Sequence, residues 1–343
     1  MKARSLLVSM VIGVASIQLS AAWANEGFRD VLDTPAAMTE LASRQLITGL
    51  AMAGKRIVGV GRRGHIVYSD DDGATWRQSR VPVSSDLNAV SFPSPRVGWA
   101  VGHDGVVLRT SDGGESWERK LDARMAQDSL ALASSSGAES DPAVAPDLSF
   151  LGVWFETEEQ GFVVGAFNQI LRTVDGGGSW ESWSDRAENP EAFHLYAIRA
   201  IGEELYVSGE YGLVMKLDRQ VGRFRQLDTG HGGTFFGVTG SPGHVVAYGL
   251  RGHIMRSTDG GASWRKVDTG LSTSLVADGM TPSGDVLLLS SDGQVVVSRD
   301  NGERFAVVPG SGPVPNAASI LPLNDGKSFV VGSGRGLSQQ VLR

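Results

Sequence analysis

The sequence predicts an all-β fold, a seven-bladed β-propeller of four-stranded antiparallel blades. Three observations predict it: a repeated segment, a regular spacing of aromatic residues and a high glycine content. The segment VGHDGVVLRTSDGGESW (101–117) recurs as YGLRGHIMRSTDGGASW (248–264). Glycine accounts for 45 of 343 residues, nearly twice the roughly 7 % of ordinary proteins. Repetition at a fixed period is typical of propellers and other repeat folds.

Six aromatic residues close the repeats and define the length of one unit. Successive members of this set lie 41, 63, 44, 40 and 41 positions apart. A unit of about 41 residues fits one four-stranded propeller blade. The set comprises Trp76, Trp117, Trp180, Phe224, Trp264 and Phe305.

Each unit separates into four short strands. In the second unit, LNAVSF (87–92) alternates apolar and polar residues, and VGWAVG (97–102) is a short apolar run typical of a buried strand. GVVLRTS (105–111) and WERKL (117–121) complete the blade, and turn-forming residues separate the segments. The pattern indicates an antiparallel meander.

The two ends of the chain are expected to complete one blade together. FRDVLD (28–33) resembles the outermost strand of the repeats, whereas VVGSGRGLSQQVLR (330–343) resembles inner strands without an outer one. Pairing these segments would close the ring and remove two exposed strand edges. With Phe28 added to the six closing aromatics, the count is seven blades.

An Asp box, S/T-x-D-x-G-x-S/T-W, precedes most of the closing aromatics. The carboxylate accepts backbone N–H bonds within its own turn, the glycine takes a positive φ, and the aromatic ring packs beneath. Recurrence once per blade favours a structural role for these acids over a catalytic or calcium-binding one. The box residues are Asp71, Gly73, Trp76, Asp112, Gly114, Trp117, Asp175, Gly177, Trp180, Asp259, Gly261, Trp264 and, in a variant box, Asp300, Gly302 and Phe305.

Composition excludes several kinds of site. The absence of cysteine excludes disulfide scaffolds, zinc-thiolate sites, iron–sulfur clusters and cysteine nucleophiles. A net charge of −7 argues against a nucleic-acid partner, because nucleic-acid binding needs a surplus of Lys and Arg. The run Asp70–Gly73 lacks the alternating acids of a calcium loop. The sequence therefore predicts neither a metal site nor a cofactor.

Residues 1–24 are expected to be a cleavable signal peptide. Lys2 and Arg4 precede an apolar run, and the small-residue pattern Ala22-Trp23-Ala24 follows it. Cleavage after Ala24 leaves 25–343 as a single propeller, in which no segment approaches the roughly 20 apolar residues of a membrane-spanning helix. The predicted location is the periplasm, and the expected state is a monomer.

Two segments depart from the repeat. Residues 217–220 (LDRQ) stand where the fourth unit would have its box. An insertion at about 124–147, rich in Ala, Ser, Asp and Pro, precedes the third blade. Its composition favours disorder in isolation, and a partner would order it on binding.

Blades that close in TSDGGESW and STDGGASW, with inner strands of the form VGWAVGHDG, resemble the Ycf48/HCF136 family of photosystem II assembly and stability factors. This family is a branch of the BNR/Asp-box superfamily, and the resemblance covers nearly the whole mature chain. It implies a seven-bladed propeller in the periplasm or thylakoid lumen, a non-enzymatic chaperone that holds a membrane protein or its precursor peptide. Similar sequences from bacteria without photosynthesis resemble accessory proteins of RND-type exporters, which is an alternative function.

Candidate binding residues lie at one end of the propeller. In an up-and-down blade, the turns between second and third strands share that end with the connections between blades, and the boxes occupy the opposite end. Loops on a rigid scaffold commonly carry binding groups. The turns contain Arg62, Arg63, His103, Asp104, Phe167, Asn168, Glu210, Tyr211, Leu250, Arg251, Gly334 and Arg335.

The arginines in these turns suggest a basic mouth suited to a carboxylate or an acidic peptide. The alternative is that they pair with nearby acids as exposed rim charges of little energetic consequence. The arginines are Arg62, Arg63, Arg251 and Arg335, and the acids are Asp86, Asp104 and Glu210. His65 and His253 occupy equivalent repeat positions, which favours a packing role over a metal site.

A glycoside hydrolase of the sialidase type is the competing hypothesis, because such enzymes also carry Asp boxes. A sialidase needs three arginines on one carboxylate, a tyrosine activated by a glutamate and a separate acid. The usual Arg-Ile-Pro near the first strand is missing, since only Lys55-Arg56-Ile57-Val58 stands there. The sequence therefore favours a binding protein without enzymatic activity.

Overall fold

The structure, a computed structural model, describes residues 29–126 and 148–342. The signal-peptide prediction, Phe28 and most of the predicted insertion lie outside the described residues. The described chain forms seven consecutive antiparallel sheets, in which each strand pairs with its neighbours in sequence. The predicted seven-bladed propeller is thereby confirmed. Six sheets have four strands and the seventh has three.

The first four blades each run from an innermost to an outermost strand. Their strands are β1 (Ile47–Ala53), β2 (Arg56–Gly61), β3 (Ile66–Ser69), β4 (Arg77–Gln78), β5 (Leu87–Ser91), β6 (Gly98–Gly102), β7 (Val107–Thr110), β8 (Glu118–Leu121), β9 (Phe150–Phe155), β10 (Gly161–Gly165), β11 (Ile170–Thr173), β12 (Glu181–Ser182), β13 (Leu195–Ile201), β14 (Glu204–Gly209), β15 (Val214–Asp218) and β16 (Arg223–Leu227).

The last three blades continue the same order, and short 3-10 helices stand in several turns. The strands are β17 (Phe235–Ser241), β18 (His244–Gly249), β19 (Ile254–Ser257), β20 (Arg265–Val267), β21 (Leu275–Met280), β22 (Val286–Ser290), β23 (Val295–Ser298), β24 (Ala306–Val307), β25 (Ser319–Pro322), β26 (Ser328–Ser333) and β27 (Gly336–Val341). The 3-10 helices are Ala42–Arg44, Arg62–Gly64, Ala166–Asn168, Ser184–Arg186, Glu210–Gly212 and Leu250–Gly252.

The hydrophobic core is divided among the junctions between blades. One cluster of buried side chains fills each junction from blades 1–2 to blades 6–7. At the junction of blades 7 and 1, the core splits into two smaller clusters of three buried residues each, built around Ile47 and around Ile57. Because apolar burial is the main favourable term in folding, the closing junction has the smallest share of it.

The predicted closure of the ring by residues 28–33 is wrong for the residues that the structure describes. Residues 31–34 form a turn, and the carboxylate of Asp30 accepts the backbone N–H of Leu32 at 2.9 Å. Leu32 is buried in the cluster between blades 1 and 2, and the carbonyl of Val31 accepts the N–H of Ser84 at 2.9 Å. The segment therefore packs on blades 1 and 2, where its apolar side chains find a core.

Side-chain packing closes the ring instead. In the described chain, β27 pairs only with β26. The outer edge of blade 7 therefore has no partner strand among the described residues. The hydroxyl of Ser319 donates to the carbonyl of Ile47 at 2.8 Å and joins the inner strands of blades 7 and 1. Gly336 approaches the 3-10 helix Ala42–Arg44 so closely that an added Cβ would lie 2.5 Å from the Cα of Arg44.

The Asp boxes form closed turns between the third and fourth strands. In the first box, Asp71 accepts the hydroxyl of Ser69 at 2.8 Å, the N–H of Thr75 at 2.8 Å and the hydroxyl of Thr75 at 2.6 Å. The indole of Trp76 donates to the carbonyl of Gly73 at 3.0 Å. Side-chain bonds of this kind recur at the other box acids, namely Asp112, Asp175, Asp259 and Asp300.

The third blade uses its closing aromatic differently. Trp180 does not bond its box glycine; within the described residues its buried indole N–H has no hydrogen-bond partner. Its ring instead packs edge-on against Trp99 at 6.2 Å and Phe155 at 6.5 Å between ring centres. The indole hydrogen bond of Trp76, Trp117 and Trp264 is replaced here by aromatic packing across the junction of blades 2 and 3.

We expect the folded protein to lose stability at acidic pH because the box carboxylates become protonated. Hydroxyl donors lower the pKa of Asp71, Asp175 and Asp259 from 3.8 to about 2, with Thr75, Ser179 and Ser263 respectively as the largest contributors. Because the folded pKa lies below the unfolded one, the boxes stabilise the fold above about pH 4 and lose that contribution as the pH falls towards about 2. Thermal unfolding across this interval measures the effect.

The control separates the boxes from other acids. An Asp71→Asn/Asp259→Asn variant should lose part of the acid dependence of the melting temperature. Asp72→Asn removes a charge from a neighbouring side chain that takes no part in the box bonds of the described turn, and it should retain the slope of the wild type. Equal slopes in all three proteins would contradict the assignment.

Candidate functional site

The turns between second and third strands form one end of the propeller, which we call the turn rim. Each turn is tied to the start of its own blade: Arg62 N–H donates to Leu46 O, Glu210 N–H to His194 O, and Leu250 N–H to Thr234 O. Because His194 and Thr234 belong to the connections between blades, and Leu46 directly precedes the first blade, turns and connections share one end. The Asp boxes lie at the opposite end, since antiparallel strands alternate in direction.

Five rim turns repeat one unusual backbone conformation. The residue at the tip has φ between 52° and 56°, in the left-handed region that non-glycine residues rarely adopt. Four of the five side chains are exposed, and Asp104 is half-buried. A left-handed residue costs about 1–2 kcal/mol, so surrounding contacts must hold each tip. The tips are Arg63, Asp104, Phe167, Tyr211 and Arg251.

One part of the turn rim, on blades 7 and 1, is basic. A cavity of about 560 Å³ is lined by Arg44, Arg62 and Asn316, and it reaches the blade 7 turn at Gly334. Arg335 follows in that turn, and its N–H donates to Ser333 Oγ at 3.2 Å. The structure therefore brings the arginines of blades 7 and 1 to one region of the rim.

The rim acids neutralise few of these arginines. Arg62 lies 4.0 Å from Asp86, an outer limit for an ion pair, while the Arg63 backbone N–H donates to the same carboxylate at 2.8 Å. Among the described residues, the guanidinium groups of Arg63, Arg251 and Arg335 make no ion pair. The alternative of paired rim charges thus fits Arg62 alone.

Arg251 belongs to a different part of the turn rim. It is the tip of blade 5, and blades 6 and 7 separate it from Arg62 and Arg63 on blade 1. Its N–H donates to Ser274 Oγ at 3.3 Å. The four predicted arginines therefore do not form one continuous mouth.

His103 and Asp104 lie where the predicted insertion leaves and rejoins the blades. His103 Nδ1 is 3.2 Å from Ser149 Oγ, and the Asp104 carbonyl accepts the N–H of Ala123 at 2.9 Å. These contacts connect the blade 2 turn to both sides of the insertion. They place the two residues as anchors of a connection.

Glu210 and Tyr211 sit beside a histidine and a second aromatic ring. Glu210 accepts the backbone N–H of His194 at 2.8 Å, and His194 Nδ1 accepts the N–H of Phe167 at 2.9 Å. The ring of Tyr211 stacks on Phe193 with centres 4.8 Å apart. The rim at blades 3 and 4 is therefore ordered by aromatic stacking and by backbone N–H bonds to Glu210 and His194.

Two repeats carry a histidine at the same position, and the two histidines have different environments. His65 is buried, and burial lowers its pKa. His253 meets His231 edge-on with centres 4.9 Å apart, and the pKa of His231 is lowered by burial and then by the charge of His253. In the part of the chain that the structure describes, no group of three or more His, Asp or Glu side chains is arranged to hold a metal ion.

A second row of rim residues was missed by sequence reasoning. The inner strands of blades 1 to 6 each contain a register shift near their first residue. The extra residue sits at the channel mouth beside the next blade; for example, Asn88 Nδ2 donates to Phe150 O at 2.9 Å. An apolar doublet at the strand start, such as FF at 235–236, is the signal available in the sequence. The bulged residues are Thr48, Asn88, Leu151, Tyr196, Phe236 and Val276.

An ion pair joins the inner strands of blades 4 and 6, which are not neighbours in the ring. Arg199 on the inner strand of blade 4 binds Asp278 on the inner strand of blade 6. Tyr248 of blade 5 donates its hydroxyl to the same carboxylate at 2.7 Å. Burial, followed by the charge of Asp278, raises the pKa of Tyr248 well above its usual value. These three groups link blades 4, 5 and 6 beside the channel.

The described residues contain no helix that is both long and apolar enough to cross a membrane.

Residues 68–141 and 140–231 match the protein family described as photosynthesis system II assembly factor YCF48.

Two curated proteins illustrate the similarity. The chain is 27 % identical over 205 residues to the photosystem II assembly lipoprotein Ycf48 of Synechococcus sp. (strain CC9902), which is 57 % of this chain and 61 % of that protein. It is 48 % identical over 48 residues to the chloroplastic photosystem II stability/assembly factor HCF136 of Cyanidioschyzon merolae (strain NIES-3377 / 10D), 13 % of this chain and 11 % of that protein. The chain thus aligns with less than two thirds of either relative.

Solved structures match over more of the chain. "YCF48 bound to D1 peptide" superimposes with a TM-score of 0.65 at 17 % identity, covering 88 % of this chain and 94 % of that one. YCF48 from Cyanidioschyzon merolae superimposes with a TM-score of 0.64 at 14 % identity, covering 90 % and 98 %. At these identities the likeness shows the fold.

Proposed function

Because this chain belongs to the Ycf48-like family, we propose that it is an exported, non-enzymatic assembly factor. In this proposal the turn rim binds a segment of a membrane protein or of its precursor. The observation that carries the proposal is the repeated left-handed tip, which presents side chains of four kinds from five blades on one rigid end. A rigid array of variable side chains suits recognition of a partner chain.

The basic part of the turn rim supports a partner with carboxylate groups. Arg63 and Arg335 have no acidic partner in the described chain, and Arg44 and Arg62 line a cavity of about 560 Å³. Guanidinium groups bind carboxylates through two parallel hydrogen bonds. The relative solved with a D1 peptide is named as a peptide complex, which supports a peptide as the ligand class.

The turn rim offers little to a sialidase mechanism. Arg251 is separated from Arg62 by two blades, so the three arginines needed on one carboxylate do not converge. Glu210 is engaged by the N–H of His194, and Tyr211 stacks on Phe193. The tyrosine and the glutamate therefore do not form an activated nucleophile.

An affinity experiment tests the basic rim. The variant Arg62→Ala/Arg63→Ala/Arg335→Ala should capture its membrane-protein partners from solubilised membranes of the source organism at least tenfold less efficiently. Loss of one or more charge-assisted hydrogen bonds accounts for about that factor. Quantitative mass spectrometry of the captured proteins, relative to bait, provides the measurement.

The control removes the same charge from the opposite end. Arg77, Arg265 and Arg299 are exposed and stand at the box end, so their triple alanine variant should capture partners as well as the wild type. Equal capture by both triple variants would contradict binding at the basic rim. Export is tested separately. Protein isolated from the periplasmic fraction of the same organism should begin at Asn25, as N-terminal sequencing would show.

A further inference from the structure

Three consecutive turns of the rim carry large exposed apolar side chains. Phe167 at the tip of blade 3 is 62 % exposed, Tyr211 at the tip of blade 4 is 68 % exposed, and Leu250 beside the tip of blade 5 is 38 % exposed. The corresponding turns of blades 1 and 2 carry Arg63 and Asp104. The rim is therefore apolar on one side only.

The inner row of bulged residues is also apolar on this side of the rim, where it extends to Val276 of blade 6. Blades 3, 4 and 5 supply Leu151, Tyr196 and Phe236, and the last two rings meet edge-on with centres 5.3 Å apart. Blades 1 and 2 supply Thr48 and Asn88, whose side chains bond the carbonyls of the next blade at 2.5 Å and 2.9 Å.

Both repeat positions are thus apolar in blades 3, 4 and 5, and the inner row alone continues to Val276 in blade 6. We call this surface the apolar crescent: Phe167, Tyr211 and Leu250 in its outer row, and Leu151, Tyr196 and Phe236 in its inner row. The fold does not require apolar residues at either position, because blades 1 and 2 form the same turns and bulges with polar ones. Contiguous exposed apolar surface rimmed by polar groups marks an interaction site.

The rings of the outer row are held in place before any partner arrives. Tyr211 stacks on Phe193 at 4.8 Å, and Phe167 packs edge-on against His194 at 4.6 Å between centres. The His194 Nδ1 also accepts the Phe167 N–H at 2.9 Å. Preorganised aromatic rings lose little freedom on binding.

One positively charged side chain lies beside the apolar crescent. Arg251 adjoins Leu250 in the same turn, and its guanidinium makes no ion pair in the described ranges. Glu210, the nearby acid of blade 4, accepts the N–H of His194. The crescent therefore combines apolar rings with one available cation.

We propose that the apolar crescent binds an extended polypeptide segment in which a bulky apolar residue is followed or preceded by an acidic residue that pairs with Arg251. This inference rests on the proposed function and names the chemistry of the bound segment. The outer row stands on exposed tips, whereas the inner row lies half-buried at the channel mouth. An extended chain reaches both rows, while a flat bilayer would touch the tips alone.

Selection from a phage-displayed random heptapeptide library tests the proposal. We expect peptides enriched on the wild-type protein to share an aromatic or large aliphatic residue within two positions of Asp or Glu. A selected peptide, synthesised with a fluorescent label, should bind Phe167→Asn/Tyr211→Asn at least tenfold more weakly in fluorescence anisotropy. Asparagine tolerates the left-handed backbone of both tips, so the variant should fold.

The matched control is Val174→Asn/Val221→Asn. It removes two exposed apolar side chains from blades 3 and 4 at the box end, and its affinity should stay within twofold of the wild type. Peptides without an apolar consensus, or peptides that bind the crescent variant as tightly as the wild type, would overturn this inference and leave the proposed function standing. A library that yields no peptide would overturn both.

Two further measurements exclude other occupants. The wild type should elute as a monomer in light-scattering chromatography, and a dimer that the crescent variant dissociates would overturn the proposal in favour of a second copy. Phosphatidylcholine vesicles should not retain the protein in flotation. Retention that depends on Phe167 and Tyr211 would overturn it in favour of a membrane surface.

Discussion

Replacing Gly212 with alanine is expected to lower the free energy of unfolding by about 2–5 kcal/mol, the sum of left-handed strain and overpacking. Gly212 follows the tip of the blade 4 turn with a φ of +77°. An added Cβ would lie 1.7 Å from the carbonyl oxygen of His231. Backbone of the following connection would have to move, and urea unfolding followed by tryptophan fluorescence measures the loss.

Gly230→Ala provides the matched control for this prediction. Gly230 has a φ of +63°, and nothing lies within 4 Å of an added Cβ. Its loss should be limited to the left-handed strain, about 1–2 kcal/mol. If both variants lost the same stability, close packing of the turn against the connection would not matter.

The close contact at Gly212 recurs at the equivalent glycines of other turns of the turn rim. Added Cβ atoms at Gly64 and Gly252 would lie 2.2 Å and 2.3 Å from carbonyls of the following connections. Each of these turns is therefore pressed against the connection that leads to the next blade. This bracing holds the neighbouring tips, including Tyr211, in their left-handed conformation.

Much of the fold follows from local patterns. Strand alternation, the box turns and the spacing of closing aromatics all depend on residues within one blade of about 41 residues, so a repeat search identifies them. The rim turns were located in the same way, since strand order alone assigns them to one end. Trp99 was correctly predicted on a buried strand, and it is fully buried.

Contacts between distant residues were not predictable in this way. Residues 28–33 match an outer strand in sequence, yet the burial of Leu32 between blades 1 and 2 decides their position. The basic mouth was inferred although the repeat order already put Arg62 on blade 1 and Arg251 on blade 5, and in the structure Arg251 lies apart from Arg62. Register shifts such as the one at Tyr196 depend on pairing geometry rather than on composition.

The channel shows how a glycine in one strand permits a contact made by another. An added Cβ at Gly237 on the inner strand of blade 5 would lie 2.0 Å from the hydroxyl oxygen of Tyr248. The absence of a side chain there lets Tyr248 reach Asp278 across the strand. A glycine within a predicted strand commonly marks a place where another group packs closely against the backbone. The sequence shows the glycine but does not show that this group is the hydroxyl of Tyr248.

Replacing Trp99 with alanine is expected to cost about 3–5 kcal/mol of unfolding free energy, the range for deleting a large buried aromatic ring. Trp99 stacks on Phe155 with centres 4.0 Å apart, and Trp180 packs against its edge at 6.2 Å. Deleting the ring would leave a cavity beside Phe155 and Trp180 at the junction of blades 2 and 3. Urea unfolding gives the magnitude, and near-ultraviolet circular dichroism reports the aromatic packing.

Two variants make the result specific to this junction. Trp154→Ala removes an equal volume from a half-buried position on blade 3, so its loss should be clearly smaller. Trp99→Phe keeps a ring against Phe155 and removes an indole N–H that has no partner among the described residues, so much of the stability should return. A loss no greater for Trp99→Ala than for Trp154→Ala would mean that neighbouring blades are held together mainly by their connections, and that the aromatic junction is replaceable.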